Sequence, residues 1–201
     1  MKALLRISVV FFSAIMISGS LYAQTAAEKA AFDKVVASAC SMKNMTADFT
    51  ETKHLDMLSQ DVVTKGKLWY MAPSYMRWEY DNLNYGVYNP KTAYMVKDGQ
   101  RNGALSRGFS QAGRMITQLM GGLGQNLKDY EISYVKEGKD LKVTAVPVQE
   151  RYRNYVESIE MKFDASLSII KSFEIKSPSG FTLITFSDVK INTDIDTQLF
   201  N

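Results

Sequence analysis

Alternation of apolar and polar side chains at a period of two runs through most of this chain, and only two stretches replace it with a helical period. Successive side chains on a strand point to opposite faces, so each alternating run makes a ribbon with one greasy and one wet side. The runs fall at about 45–56, 61–71, 75–81, 85–89 and 92–97, and again at 130–136, 140–147, 154–163, 168–176, 180–187 and 189–192. Within them Tyr155, Ile159, Met161 and Phe163 share one face, and Ile169, Lys171, Phe173 and Ile175 alternate with Ile170, Ser172, Glu174 and Lys176. Gly66, Pro73, Asp81-Asn82, Asn89-Pro90, Asp98-Gly99, Gly138, Asp164-Ala165 and Pro178-Ser179-Gly180 punctuate the runs, and connections this short predict an antiparallel meander. A flat sheet of about 11 strands would leave its apolar side in water, so it must curl on itself or be covered. The expected fold class is α+β: a strongly curved antiparallel sheet forming an incomplete, half-open β-barrel of about 11 strands, with an N-terminal helix and a lid helix over the mouth.

The first helical stretch opens on Thr25-Ala26-Ala27-Glu28, a capping box with Glu three residues after the Thr cap. Ala31, Phe32, Val35, Val36, Ala39 and Cys40 then recur at helical spacing, which predicts a helix over 26–42 with Cys40 as a buried thiol. The second stretch lies between Gly99 and Lys128. Ala112, Met115, Ile116, Leu119, Met120 and Leu123 make one broad stripe, which Gly121, Gly122 and Gly124 end or loosen. Pattern alone leaves two readings open, a helix plugging the sheet as ordinary core and a movable lid presenting Met115, Ile116, Leu119, Met120 and Leu123.

The segment from Gly66 to Tyr80 is the most aromatic of the strand pairs. Leu68 and Tyr70 alternate with Trp69 and Met71 before Pro73; after it Met76, Trp78 and Tyr80 share one face while Tyr75, Arg77 and Glu79 share the other. Proline cannot donate to a ladder, so the chain bends or changes strand there. The Met76, Trp78, Tyr80 face is large, soft and apolar and suits a core or a greasy ligand. Nine of the 11 methionines lie beyond residue 23, and a cavity lined by Met and aromatic groups with no polar reader would take acyl chains with little selectivity.

Residues 1–23 have the form of a secretory signal, with Lys2 and Arg6, an apolar run from Ile7 to Ser18, and Leu21-Tyr22-Ala23 as the cleavage site. The run is shorter than the roughly 20 residues that span a bilayer. The expected arrangement is a cleaved signal at 1–23 and one domain at 24–201. Loss of Lys2 and Arg6 lowers Lys+Arg from 24 to 22 against 21 Asp+Glu, so the mature charge is near neutral and carries no nucleic-acid footprint. Cys40, the only cysteine, excludes an intrachain disulfide. His54, the only histidine, sits among Glu51, Lys53 and Asp56 with no second nitrogen or thiolate ligand nearby, and is read as an exposed bystander. No GxSxG elbow occurs, and Gly121-Gly122-Leu123-Gly124 lacks the Lys-Ser/Thr of a phosphate loop. No catalytic residue, metal ligand or cofactor is assigned.

Gly66, Leu68-Trp69, Pro73, Arg77-Trp78-Glu79-Tyr80 and Asp98-Gly99 stand in an order and spacing that resembles the LolA family of periplasmic outer-membrane lipoprotein carrier proteins, loosely from about residue 27 to Phe200. The resemblance implies a half-open barrel and places lid helices at the second helical stretch. It puts the lipid-contacting aromatic strand on Met76 and Trp78, which period two extends to Tyr80 and, across the bend, to Leu68 and Tyr70. It implies a monomeric, non-enzymatic carrier, free of cofactors, that binds the acyl chains of lipoproteins. Its partners would be an inner-membrane ABC lipoprotein-release transporter and an outer-membrane lipoprotein acceptor. Better-studied members have an Arg before the proline that latches the lid; this chain has Ala72 there, and Arg77 is expected to point away from the cavity. Members continue with a Phe-x-Phe strand and a Pro-Gly tail where this chain has Phe200-Asn201. Other readings stay open: a LolA-fold periplasmic lipid sensor or carrier of another acylated lipid, an acyl-cutting enzyme using His54, and a surface module with a filled interior.

Overall fold

A computed structural model describes residues 25–122 and 129–201, so the expected signal at 1–23 and the lid residue Leu123 lie outside the described residues. The chain opens with helix α1 (Ala26–Ser41), and its capping box forms as expected. The Thr25 backbone N–H and hydroxyl each donate to the Glu28 carboxylate at 2.9 Å, and the Glu28 N–H returns to the Thr25 hydroxyl at 3.2 Å. These hydrogen bonds from Thr25 hold the Glu28 carboxyl below its usual range. Val35 is the buried centre of the inner face, with Ala31, Phe32, Val36 and Ala39 beside it. Cys40 is exposed, which corrects the expectation of a buried thiol. Five residues after Val35 it is turned about 140° around the helix axis.

Six strands follow: β1 (Asn44–Leu55), β2 (Val62–Met71), β3 (Tyr75–Glu79), β4 (Tyr85–Tyr88), β5 (Ala93–Lys97) and β6 (Gln100–Arg101). Helix α2 (Gly103–Gly122) then interrupts the meander, which resumes with β7 (Tyr130–Glu137) and β8 (Asp140–Pro147). A short helix α3 (Glu150–Arg153) precedes β9 (Ser158–Asp164), β10 (Ile169–Ser177) and β11 (Gly180–Ile191), and a 3-10 turn at Thr197–Phe200 follows. All eleven strands make one antiparallel sheet in the order β6-β5-β4-β3-β2-β1-β11-β10-β9-β8-β7. The long β1–β11 pairing, from Met45 opposite Ile191 to Leu55 opposite Gly180, joins the two half-meanders. β6 and β7 remain edges, so the barrel is half-open as the expected class requires.

The strand number agrees with the sequence reading, but its parts differ. The runs at 180–187 and 189–192 are one strand, β11, whose register with β1 shifts between Thr46 and Asp48, and Asp188 takes a positive φ of 48°. The extra strand, β6, is produced by Asp98 and Gly99, whose φ of 52° and 76° are what a two-residue primed hairpin turn demands. The run at 154–163 begins only at Ser158, because residues 154–157 form the turn and bend that follow α3; Tyr155 is exposed and does not share the face of Ile159, Met161 and Phe163. A bulge between Ile170 and Ser172 changes the phase of β10, so that Ile170 and Phe173, three apart, are both buried.

The interior face carries Met45, Ala47 and Phe49 of β1, Leu68 and Tyr70 of β2, Leu141, Val143 and Ala145 of β8, and Ile159 and Met161 of β9, all buried. α1 covers the β7–β8 side, where Phe32 stacks on Tyr134 with ring centroids 4.3 Å apart. Polar ties reinforce it: the Lys136 N–H donates to Glu28, and the Lys34 ammonium to the Ser166 carbonyl. α2 covers β3–β5 and touches α1. On the opposite face a small second cluster of Val87, Tyr94 and Val96 forms, and the C-terminal turn is fastened beside it. Buried Phe200 meets Tyr75 edge-on at 5.9 Å, Asn89 donates to the Phe200 carbonyl at 2.9 Å, and the Tyr94 hydroxyl donates to the Asn201 carbonyl at 2.7 Å.

Gly66 lies beneath the Phe49 ring, opposite it across the β1–β2 pair. A Cβ at this position would fall 2.5 Å from the ring edge and collide with the Glu79 carbonyl oxygen. Gly66→Ala is therefore expected to destabilise the fold by about 1–3 kcal/mol through overpacking, measured as a lower urea midpoint with unchanged slope.

Candidate functional site

Cross-strand register brings the aromatic stretch together. Leu68 is opposite Trp78 and Tyr70 opposite Met76 on the β2–β3 pair, so all four point inward. Leu68, Tyr70 and Met76 are fully buried, Trp78 is 5% exposed, and Tyr80 packs against the same cluster half-buried. Phe49 ties them from β1: its ring is tilted over Trp78 at 4.2 Å and meets Tyr80 edge-on at 5.7 Å. Arg77 points to the other face, where its guanidinium pairs with Glu79 at 2.5 Å and sits 3.9 Å from the centre of the Tyr85 ring.

Across this face lies α2. Ile116, Leu119 and Met120 are buried and Met115 half-buried, in the same cluster as Tyr70, Met76 and Trp78. The helix starts at Gly103, nine residues before the stripe read from the sequence, and the Asn102 side chain caps it by accepting the Leu105 N–H at 3.0 Å. Phe109, missed in the sequence, belongs to the same underside. It continues the stripe three residues before Ala112, but Gly103 and Gly108 obscured the helical run around it. Its ring fills the space where a side chain at Gly86 would stand, and Gly113 lets the helix backbone rest against the Tyr88 ring.

α2 is fastened at one end only. The Asn102 N–H donates to the Met95 carbonyl at 2.9 Å, the Met95 N–H to the Ser106 hydroxyl at 2.9 Å, and that hydroxyl to the Asn102 carbonyl at 2.6 Å. Among the described residues, no hydrogen bond or ion pair joins α2 to the strands beyond Ser106, and its one buried hydroxyl, on Thr117, turns back to the Gly113 carbonyl at 2.8 Å. Among the described residues no arginine hydrogen bond or ion pair joins the helix to the sheet: Ala72 packs in the apolar cluster and Arg77 faces away. The remaining hold is apolar contact.

A cavity of about 40 Å³ is bordered by Val35, Met42, Met45, Leu119, Met120 and Met161. Ligand pockets for whole small molecules run to roughly 300–1,000 Å³. The interior face expected to line a hollow is instead buried against the protein's own side chains. A second difference concerns polarity. Glu51 continues the inward series Met45, Ala47, Phe49 on β1 and is only 4% exposed. Its carboxylate accepts the Tyr80 hydroxyl at 2.7 Å and pairs with the Lys53 ammonium at 2.5 Å. The interior therefore has a polar notch, which corrects the reading of a face with no polar reader.

His54 is bound to Asp61 at 2.8 Å, lies 3.7 Å from Asp56, and stacks on Phe181 at 5.1 Å. It is half-exposed on the hairpin end of β1 rather than free in solvent. Among the described residues no group of three or more His, Cys, Asp or Glu side chains is placed to hold a metal ion.

Burial pushes the Tyr70 phenol up to about 12. Burial, and then the Glu51 charge, push Tyr80 well above the usual tyrosine range. Both raised values mean that the folded state keeps protons which the unfolded chain releases near pH 10. Their stabilising contribution is complete below about pH 10 and is lost as pH rises through about 12. Denaturation midpoints should fall across that window, and Tyr70→Phe should flatten the fall; an equally steep decline in the variant would assign it to other groups.

The profile of the family described as outer membrane lipoprotein carrier protein LolA matches residues 40–201. No curated protein matches the sequence. Among solved structures the chain is similar to MucB, at 11% identity and a TM-score of 0.50, over 87% of this chain and 62% of that one. It is also similar to the Mycobacterium tuberculosis lipoprotein LppX, at 12% identity and 0.51, over 86% and 99%, and to a LolA superfamily protein from Nitrosomonas europaea, at 9% and 0.37, over 87% and 97%. The chain spans only about three-fifths of the MucB structures that it matches. At these identities the likeness concerns the fold.

Proposed function

The chain belongs to the LolA family, and we propose that it is a carrier that shelters acyl chains between α2 and the interior face of Leu68, Tyr70, Met76, Trp78 and Tyr80. The observation that carries this reading is the one-ended fastening of α2: hydrogen bonds hold its start to β5, and only soft apolar contact holds the rest. Met115, Ile116, Leu119 and Met120 form the cover, joined by Phe109. The cargo is the acyl chains of lipoproteins. The protein works in the periplasm as a monomer after loss of residues 1–23, between an inner-membrane ABC lipoprotein-release transporter and an outer-membrane lipoprotein acceptor, and performs no covalent step. Family membership supports this role, and no helix among the described residues is long and apolar enough to cross a membrane.

Magnitudes favour a two-state carrier. A long acyl chain gains roughly 10 kcal/mol on leaving water, at about 0.8 kcal/mol per methylene. Three fully buried lid side chains, Ile116, Leu119 and Met120, at about 1.5–3 kcal/mol each, with smaller shares from half-buried Phe109 and Met115, stabilise the closed form by a comparable total. The closed state thus competes with cargo for the same surface, and release needs only a modest further bias from the acceptor.

A covalent lock tests the lid. A Cβ at Gly113 would stand 3.1 Å from the Tyr88 Cβ, near the span of about 3.5–4.5 Å that a disulfide bridges. In a Cys40→Ser background, oxidised Tyr88→Cys/Gly113→Cys protein should lose uptake of a fluorescent acyl probe by more than about tenfold and regain it on reduction. Full uptake by the oxidised protein would refute the lid. Separately, Met76→Glu places an unpaired charge on the dry face and should abolish uptake while circular dichroism shows the sheet retained.

A further inference from the structure

Among the described residues two buried side-chain polar atoms have no hydrogen-bond partner, Ser168 Oγ just before β10 and, on the interior face, the indole N–H of Trp78. Trp78 Nε1 has no hydrogen-bond partner, on a residue that is 95% buried in the middle of the proposed binding face. It lies near the Tyr80 oxygen, whose ionisation it would favour, but not in hydrogen-bonding geometry with it. The neighbouring polar groups bond to one another. The Tyr80 hydroxyl donates to Glu51 Oε2 at 2.7 Å, and the other Glu51 oxygen takes the Lys53 ammonium at 2.5 Å. A buried donor left unpaired carries its full desolvation cost. Partners with an acceptor for it relieve that cost relative to the empty closed form, and partners without one do not.

We propose that Trp78 reads the acyl carbonyl, so that the site selects chains carried as esters or amides. The proposal rests on the carrier reading and names the chemical class of its cargo. A carbonyl oxygen offers an acceptor with no donor, which matches the single free indole N–H. A hydroxylated group would bring a donor of its own to a place where the unpaired group, the indole N–H, is itself a donor. A free fatty acid would bring a second carboxylate beside the buried one of Glu51, and like charges in a low-dielectric site repel strongly. Hydrocarbon length supplies the affinity; Trp78 and Glu51 supply the discrimination. The notch thus separates esterified lipid from free fatty acid, which bare apolar surface does not.

The test compares three probes of equal chain length, a methyl ester, the free acid and the alkane, on wild type and on Trp78→Phe. The ratio of ester to alkane affinity should fall about three- to tenfold in Trp78→Phe, the range of one hydrogen bond, while loss of ring area affects both probes alike. Wild type should prefer ester over acid at neutral pH, and Glu51→Gln should narrow that preference. Infrared spectra of the ester, labelled with carbon-13 at the carbonyl, give a readout independent of affinity. The band should shift to lower frequency on wild type and return on Trp78→Phe. If ester and alkane bind wild type but neither their ratio nor the band depends on Trp78, the indole donates to a trapped water only, and the inference falls while the carrier reading stands. If no probe binds wild type, the carrier reading itself fails.

Discussion

The inner face of an open sheet stays out of water only if the chain lays something across it, and here that covering is two helices of unequal attachment. α1 stacks Phe32 on Tyr134 and adds polar ties from Glu28 and Lys34 to the β7–β10 side. α2 has its hydrogen bonds gathered at Asn102 and Ser106 and relies on side-chain contact along the rest of its length. Apolar contact is non-directional, so a surface held that way can be exchanged for another apolar surface without leaving polar groups unpaired. The two helices thus differ in bonding: α1 adds polar ties to its apolar contact, and among the described residues α2 beyond Ser106 has apolar contact alone.

Replaceability explains the residue types at the interface. Met76 of β3 and Met115 and Met120 of α2 belong to one apolar cluster, and unbranched thioether chains re-pack around partners of differing shape at low cost. The aromatic side of the cluster is rigid by contrast, because Phe49 wedges Trp78 and Tyr80 from β1 and occupies the space above Gly66. One wall adapts and the other holds its polar groups in place, so shape tolerance and chemical recognition reside on different elements.

Much of this was legible in the residues. Period-two alternation placed Leu68, Tyr70, Met76 and Trp78 on one inward face and turned Arg77 away, and the i, i+3, i+4 stripe identified the underside of α2. Alternation fails where a strand gains a residue, and the shifts at Ile170/Ser172 and Thr46/Asp48 leave no mark in hydrophobicity, because they arise from pairing with a neighbour. Glu51 was visible as the next inward position after Phe49, yet its charge suggested a wet strand; only the paired hydroxyl of Tyr80 and ammonium of Lys53 show how the interior accommodates it. Phe109 was hidden by glycines that weaken a helix in isolation, while the sheet beneath it restores the helical run. The C-terminal turn gave no periodic signal, since a single buried Phe200 and two hydrogen bonds to distant strands define it.

The position of the α2 fastening also sets a lever. From Ser106 to Gly122 the helix runs about 24 Å at 1.5 Å per residue. Turning it by roughly 20° about its hydrogen-bonded end would sweep the far tip through about 8 Å, several times the travel at Phe109 near the pivot. Space therefore opens as a wedge, widest beside Leu119 and Met120, where the small residual void already lies. A hydrocarbon tail would thread in from that tip toward the pivot, and the depth it reaches would measure how far the helix has swung.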